Sequence, residues 1–205
     1  MSAPNQAVLT RACEALAARD DALSAAYARV GLPTWRVADA NYQTLARSVV
    51  YQLISTKAAD AIWQRVLARY VAVTPEAICG DDQAELQACG LSAPKLAHLN
   101  AIAQAILQGR LDFDRLEAAP VSNARAELLA VKGIGPWTAE SFLMMALGHL
   151  DAFPIGDVGL MEAYKRLSGS PTRDDKKGFT ARAENWRPYR AVAAHLLYDW
   201  FNATR

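Results

Sequence analysis

The sequence predicts an all-α protein, and three observations support this fold class. Hydrophobic residues make up 52% of the 205 residues, and many of them are alanine, which favours helices over strands. No segment alternates apolar and polar residues in the way of a half-buried strand. No internal repeat or low-complexity tract interrupts the chain. A chain of this length can bury a sizeable core, as one domain or as two small lobes that share a cleft.

Helix start and stop signals place the helices in order along the chain. Gly31 and Pro33 end the first helical region, Thr74 starts a helix before a proline, and Cys89-Gly90 stops one. Clusters of glycine, proline and aspartate predict loops at 168–171 and 174–178. The predicted helical segments are 7–30 as one or two helices, 41–71, a helix from 74, 94–107, 113–118, 123–131, 136–147, 157–167 and 187–201.

Two glycines one residue apart, Gly133 and Gly135, predict a tight turn between helices. Pro136 suits the first turn of the second helix, so that about 123–147 is interpreted as helix, short hairpin, helix. Free backbone N–H groups at such a turn and helix N-terminus attract anions, and a phosphate is their natural ligand. The candidate phosphate contacts are the N–H groups of Gly133, Gly135 and Thr138. An ordinary corner between helices with a glycine cap is the alternative.

Asp157 follows Pro154 and Gly156 and precedes a helical segment. Aspartate is a favoured N-cap at such a position, and from the residues alone this is the first interpretation. A helix N-terminus also holds a carboxylate ionised and fixed in place. A capping role is therefore compatible with a catalytic one.

Several stretches together resemble the helix-hairpin-helix GPD superfamily of DNA glycosylases, in particular the 3-methyladenine DNA glycosylase II family. The hairpin string LAVKGIGPWTA is followed by Asp157, twenty-two residues after Gly135. The strings YQLISTKAA at 51–59, GLSAPKLAHL at 90–99 and WRPYRAVAA at 186–194 also resemble family segments. The resemblance covers roughly residues 40–200. Lys132 departs from the pattern, because the family usually has proline there.

The resemblance implies two helical lobes with an active-site cleft between them. One lobe, 39–148, would carry the hairpin, and 1–38 plus 149–205 would form the other. Asp157 falls on the superfamily's catalytic aspartate, which implies hydrolysis of the N-glycosidic bond of alkylated purines, 3-methyladenine and 7-methylguanine, in base-excision repair. Relatives that also cut the strand have a lysine where this chain has Trp137. Tryptophan has no nucleophilic amine, so a monofunctional enzyme without lyase activity is expected.

The resemblance also assigns the contacts with the flipped base and with DNA. Trp137 and Tyr198 fall where the family places pocket aromatics, with core packing as the alternative for Tyr198. Ser141 replaces an aromatic residue of some members and implies a more open pocket. Leu53 resembles the residue that wedges into the gap left by the flipped base. Gln52 and Ile54 are the alternative wedge residues, and from its apolar character alone Leu53 would be a core residue. Lys132 adds a cation beside the expected phosphate.

The sequence predicts no cofactor for the reaction itself. Three widely spaced cysteines, none of them after the hairpin, cannot supply the four thiolates of an iron–sulfur cluster. Related hairpins bind a structural Na⁺ or K⁺ ion through carbonyl oxygens of the turn. By resemblance, the carbonyls that would bind it are those of Leu129, Val131 and Gly133.

The charge of the chain, +1 overall, is not that of a strongly basic nucleic-acid binder. Residues 162–190 hold eight bases and four acids, a local excess of four positive charges. The expected partner is double-stranded DNA with alkylated bases, bound by a monomer. No run approaches 18 apolar residues and the N-terminus has no signal segment, so a cytoplasmic, membrane-free location is expected. The alternatives are a non-catalytic helix-hairpin-helix module, with Asp157 only a cap, and a glycosylase for deaminated or etheno bases.

Overall fold

The computed structural model describes residues 3–204, and within them it contains thirteen α-helices, one short 3₁₀ turn and no strand. The predicted all-α class is confirmed. The helices are α1 (Gln6–Ala17), α2 (Asp21–Val30), α3 (Tyr42–Tyr51), α4 (Thr56–Arg69), α5 (Pro75–Gly80), α6 (Gln83–Ala88), α7 (Ala93–Leu107), α8 (Phe113–Ala118), α9 (Val121–Leu129), α10 (Pro136–Met145), α11 (Val158–Ser168), α12 (Lys176–Ala183) and α13 (Arg190–Ala203), with the 3₁₀ turn at Glu184–Trp186.

The helical segment predicted over 41–71 is two helices with a short turn between α3 and α4. Ser55 caps α4, because its hydroxyl accepts a hydrogen bond from the N–H of Ala58 at 3.3 Å. Leu53 has a φ of 60°, in the left-handed region. A side-chain cap and a left-handed residue both interrupt a helix. The apolar pattern of the segment continues across this break, which is why the pattern did not reveal it.

The loop predicted at 174–178 contains the start of α12. Asp175 accepts a hydrogen bond from the N–H of Gly178 at 2.7 Å and caps the helix. Helix α13 begins at Arg190 instead of residue 187. Pro188 disfavours helical geometry in the residue before it, which accounts for the later start.

The chain divides into two compact units, and the division falls inside α10, after Phe142. The described residues of the first unit are 3–38 and 143–204. Its α13 packs against α1, α2 and α11, and residues 190–197 of that helix are all buried. A cluster of aromatic rings with centroids 5.6–5.9 Å apart completes the core, formed by Phe153, Tyr164, Phe179 and Trp186.

The second unit, 39–142, is built around α7, which packs against α3, α5 and α6. Lys95 on α7 donates a hydrogen bond to the carbonyl of Val50 near the end of α3, at 2.5 Å. A cation at the C-terminal end of a helix stabilises its last carbonyls.

Cys13, Cys79 and Cys89 are free thiols. No helix between residues 3 and 204 is both long and apolar enough to cross a membrane.

Candidate functional site

Asp157 is the N-cap of α11, as its sequence context predicted. Its Oδ1 accepts a hydrogen bond from the N–H of Leu160 at 2.9 Å. The residue is only partly buried. A carboxylate at this position is stabilised by the positive end of the helix dipole. The cap therefore fixes a negative charge at the start of α11.

The second carboxylate oxygen of Asp157 is also held. The hydroxyl of Tyr198, on α13, donates a hydrogen bond to Oδ2 at 3.0 Å. Burial raises the pKa of Tyr198 well above its usual value, the negative charge of Asp157 raises it further, and Arg36 opposes the shift. The phenol therefore stays protonated and remains a donor. Of the predicted site residues in this unit, the structure brings Asp157 and Tyr198 together.

The sequence did not single out Arg36, which contacts the Tyr198 ring, or Asp199, which pairs with Arg36. The Arg36 guanidinium lies 4.9 Å from the centroid of the Tyr198 ring and pairs with Asp199 at 2.9 Å. Its Nη1 lies 3.5 Å from Nδ1 of His195, which is fully buried. Burial lowers the pKa of His195 to about 3, with a smaller contribution from Arg36. Arg36 stands in a non-helical segment without a motif, so only the fold could reveal it.

In the second unit, the two glycines of the hairpin, Gly133 and Gly135, have different structural roles. Gly133 has a φ of 99°, and a Cβ added to it would lie 2.6 Å from Cβ of His98 on α7. Gly133 is therefore required by close packing of the turn on α7. A Cβ on Gly135 would meet nothing within 4 Å. The backbone at Gly135 is thus open to a partner, as a phosphate contact requires.

Gln52 ties the turn after α3 to the hairpin. Its Nε2 donates to Oγ1 of Thr138 at 2.9 Å and, more weakly, to the carbonyl of Gly133 at 3.4 Å. The structure thus brings together three predicted DNA-binding residues. Leu53, the next residue, is 103% exposed, so the interpretation of Leu53 as a core residue is wrong. An anchored Gln52 beside a projecting apolar side chain is the geometry that a wedge at Leu53 needs.

Trp137 and Ser141 lie one helical turn apart on α10, so their side chains share a face. Trp137 is partly buried and Ser141 is buried. The Ser141 hydroxyl oxygen has no hydrogen-bond partner among the described residues. The two helices of the hairpin are joined by an ion pair between Arg125 on α9 and Glu140 on α10. A contact of Trp137 and Ser141 with a base stays a prediction.

The carbonyls predicted to hold a monovalent cation already have some hydrogen-bond donors. The Val131 carbonyl accepts from the N–H of Ile134 at 3.1 Å, and that of Gly133 accepts from Gln52. Each carbonyl oxygen keeps a second lone pair for an ion. Lys132 is exposed in the turn. Across residues 3–204, no three His, Cys, Asp or Glu side chains are grouped so that they could hold a metal ion.

Comparisons with known proteins identify similar chains. The family model described as "HhH-GPD superfamily base excision DNA repair protein" matches residues 46–188. The "DNA-3-methyladenine glycosylase 1" of Schizosaccharomyces pombe is 33% identical over 162 residues, which are 77% of this chain and 71% of that protein. A solved structure of the 3-methyladenine DNA glycosylase of the same yeast, in complex with abasic DNA, superposes with a TM-score of 0.83 at 28% identity, covering 95% of this chain and 97% of that one.

A further relative is much longer than this chain. The "Probable bifunctional transcriptional activator/DNA repair enzyme AlkA" of Mycobacterium tuberculosis is 35% identical over 162 residues, which are 74% of this chain. The match covers only 32% of that protein. The similarity therefore concerns about a third of the Mycobacterium protein.

Proposed function

The chain belongs to the HhH-GPD superfamily of base excision DNA repair proteins, and from this premise we propose that it is a monofunctional DNA glycosylase. Its reaction is hydrolysis of the N-glycosidic bond of alkylated purines in DNA. The observation that carries the proposal is Asp157, whose two oxygens are held by Leu160 and Tyr198. The names of the yeast relatives, 3-methyladenine glycosylases, support the substrate class.

A single fixed carboxylate suits this substrate class. Cleavage of the N-glycosidic bond develops positive charge on the sugar, so a nearby anion stabilises the transition state more than the ground state. At about 4 Å and an effective dielectric constant near 20, the attraction is about 4 kcal/mol, or about three decades in rate. This is modest for a neutral base. It is more effective for 3-methyladenine and 7-methylguanine, because alkylation makes these bases cationic while they are attached to the sugar, and each takes the bonding electron pair and leaves as a neutral molecule. The same carboxylate can also orient or deprotonate the attacking water.

The hairpin and the Gln52–Leu53 turn are the proposed DNA contacts. The N–H groups of Gly133, Gly135 and Thr138 are the proposed phosphate donors. Leu53 is the proposed wedge, because an exposed apolar side chain can fill the gap that a flipped base leaves. Extruding the base costs a few kcal/mol, which stacking on an aromatic face offsets by about 1–3 kcal/mol.

Further parts of this proposal rest on resemblance. Trp137 is the aromatic platform for the base, and Ser141 leaves room beside it. A monovalent cation would bind the carbonyls of Leu129, Val131 and Gly133, where it would stiffen the turn. The active protein is a monomer, and its location is the cytoplasm, where it meets its DNA.

The absence of an amine at Trp137 is the basis for a monofunctional reaction. A lyase needs a lysine that forms a Schiff base with the sugar, and borohydride traps that adduct. We expect the product to be DNA with an abasic site in an unbroken strand, and we expect no trapped adduct on a denaturing gel. A trapped adduct in the wild type that disappears in Lys132→Ala would overturn this part of the proposal.

The central experiment compares the wild type with Asp157→Asn on duplex DNA treated with a methylating agent, and measures released bases by chromatography. Asparagine is also a good N-cap, so the variant should fold. Asp112→Asn is the matched control, because Asp112 caps α8 through the N–H of Arg115 at 2.8 Å. We expect 3-methyladenine and 7-methylguanine from the wild type and the control, and a loss of at least about three decades for Asp157→Asn.

Two results would contradict the proposal. Equal release by the wild type and Asp157→Asn would show that the carboxylate is only a helix cap. Binding of the duplex without release of any base would favour the non-catalytic module, and release of only deaminated or etheno bases from suitable duplexes would favour the alternative glycosylase.

A further inference from the structure

The side chain of Tyr198 is held at both its hydroxyl and its ring. The hydroxyl donates to Oδ2 of Asp157 at 3.0 Å. The guanidinium of Arg36 lies over the ring, 4.9 Å from its centroid. A cation at this distance is attracted to the ring face. The Arg36 side of the ring is therefore occupied by the protein itself.

Arg36 is in turn fixed by the residue that follows Tyr198 on α13. Asp199 accepts a hydrogen bond from Arg36 Nη2 at 2.9 Å and another from the N–H of Thr34 at 2.6 Å. Asp199 thus anchors both the side chain and the backbone of the segment that covers Tyr198. We call Arg36 and Asp199 the clamp. The side chains of the clamp are only 31% and 18% exposed, so solvent screens their attraction less than that of a surface pair.

Both oxygens of Asp157 then have a defined donor. Leu160 N–H binds Oδ1 at 2.9 Å and the Tyr198 hydroxyl binds Oδ2. With both oxygens bound, the carboxylate cannot rotate without breaking a hydrogen bond. A hydrogen bond to an ionised acceptor is stronger than one between two neutral groups. A group that must face a developing charge benefits from being held before the reaction begins.

We propose that Tyr198 is a positioning residue for the catalytic carboxylate, and that the Arg36–Asp199 clamp holds it in place. This inference rests on the proposed function, because it assigns Tyr198 a role in the reaction of Asp157. It also replaces the expected role of Tyr198 as a stacking platform. The useful atom of Tyr198 is its hydroxyl, which donates to Oδ2 of Asp157.

The test separates the hydroxyl from the ring. Tyr198→Phe keeps the ring and its packing but removes the donor, and Tyr189→Phe is the same change at the start of the same helix. Single-turnover release of 3-methyladenine is measured across a pH series, together with equilibrium binding of a duplex with an abasic site. Thermal melting confirms that each variant is folded.

We expect Tyr198→Phe to slow base release about ten- to a hundredfold, the range of one hydrogen bond to a charged group. The acid limb of its pH–rate profile should move to higher pH, because the ionised carboxylate has lost a donor that stabilises it. The charged or titratable groups near Asp157 include Tyr198, Arg36 on the face of the Tyr198 ring, and Lys176 of α12, whose side chain lies beside Gly156. Of these groups, Tyr198→Phe alters only Tyr198. Binding of the abasic duplex should change less than about twofold, because the hydroxyl contacts the carboxylate and not DNA.

The clamp is tested by a second pair of variants. Arg36→Met removes the cation over the ring and should slow release with the same shift of the acid limb, and Arg36→Lys should recover part of the rate. If Tyr198→Phe matches the wild type in rate and pH profile, the positioning role is refuted while the proposed function stands. If it weakens abasic-DNA binding at an unchanged rate of release, the Tyr198 hydroxyl contacts DNA instead of positioning the carboxylate, and the proposal also fails. If the wild type itself releases no base, the proposed function fails first and this inference with it.

Discussion

The substitution Gly133→Ala gives the sharpest test of how the hairpin is built. Gly133 has a φ of 99°, and an added Cβ would lie 2.6 Å from Cβ, 2.9 Å from Cγ and 3.0 Å from Cα of His98. Two of these atoms, Cα and Cβ, keep their positions when the His98 rotamer changes, so such a change cannot remove the contact. The hairpin would have to move away from α7, or both would have to distort.

The expected loss of stability has two parts. Alanine in a left-handed backbone conformation costs about 1–3 kcal/mol. Overpacking of a tight contact costs about 1–3 kcal/mol more. The smaller conformational entropy of unfolded alanine offsets about 0.4–1 kcal/mol. The net free energy of unfolding should therefore fall by roughly 1–6 kcal/mol, which lowers the Tm by roughly 2–20 °C for a chain of this size.

The matched control is Gly135→Ala, two residues later in the same turn. Gly135 has no left-handed φ, and nothing lies within 4 Å of an added Cβ. We expect its unfolding free energy, from urea titration followed by circular dichroism, to stay within about 1 kcal/mol of the wild type. Its affinity for duplex DNA, from fluorescence anisotropy, should fall, because the new methyl group stands where a phosphate is proposed to approach. Equal stability of Gly133→Ala and Gly135→Ala would refute the packing argument.

Other predictions concern charge and pH. Arg125→Met should lower the free energy of unfolding by about 1–3 kcal/mol, because the buried Glu140 loses its guanidinium partner. Arg115→Met, which breaks the exposed ion pair with Glu127, should lower it by less than about 1 kcal/mol. Equal losses for the two variants in urea titrations would contradict this prediction. Lys132→Gln should weaken duplex binding and reduce the slope of log affinity against log salt by about one, and an unchanged slope would exclude a phosphate contact. The pKa of His195 is about 3 when folded, below the usual 6.5, so the unfolded chain binds the extra proton. Stability should fall by up to about 1.4 kcal/mol per pH unit as the pH drops from about 6.5 toward 3, and urea titrations at pH 6.5 and 4.5 should show a smaller loss in His195→Gln.

Much of the fold could be predicted because the helix signals are local. Proline, glycine and capping aspartates mark helix ends within a few residues, and the predicted helix at 113–118 has the same limits as α8. The break between α3 and α4 was missed because an apolar pattern continues through it. The start of α12 was missed because Asp175-Lys176-Lys177-Gly178 has the composition of a loop, and only the side-chain cap at Asp175 stabilises it as a helix.

The candidate site was predictable only in part. Asp157 was found because its context marks an N-cap and because it follows the hairpin at a recognisable distance. Gln52 and Leu53 were both candidate wedges, and the structure separates them, since Gln52 bonds to Thr138 while Leu53 projects into solvent. Such a distinction depends on contacts between residues more than 80 positions apart, which no local pattern records.

The order of the amino acids is enough to predict the helical class, the hairpin with its two glycines, and the aspartate at the start of a helix. These features depend on backbone preferences and capping, which act over a few residues. Three further features emerge only in the folded chain: the packing of Gly133 on α7, the hydrogen bond from Tyr198 to Asp157, and the placement of Tyr198 by Arg36 and Asp199. The sequence does not reveal these contacts, because a hydrogen bond or a steric contact depends on distance in space. Arg36 and Tyr198 become neighbours only when the chain has folded.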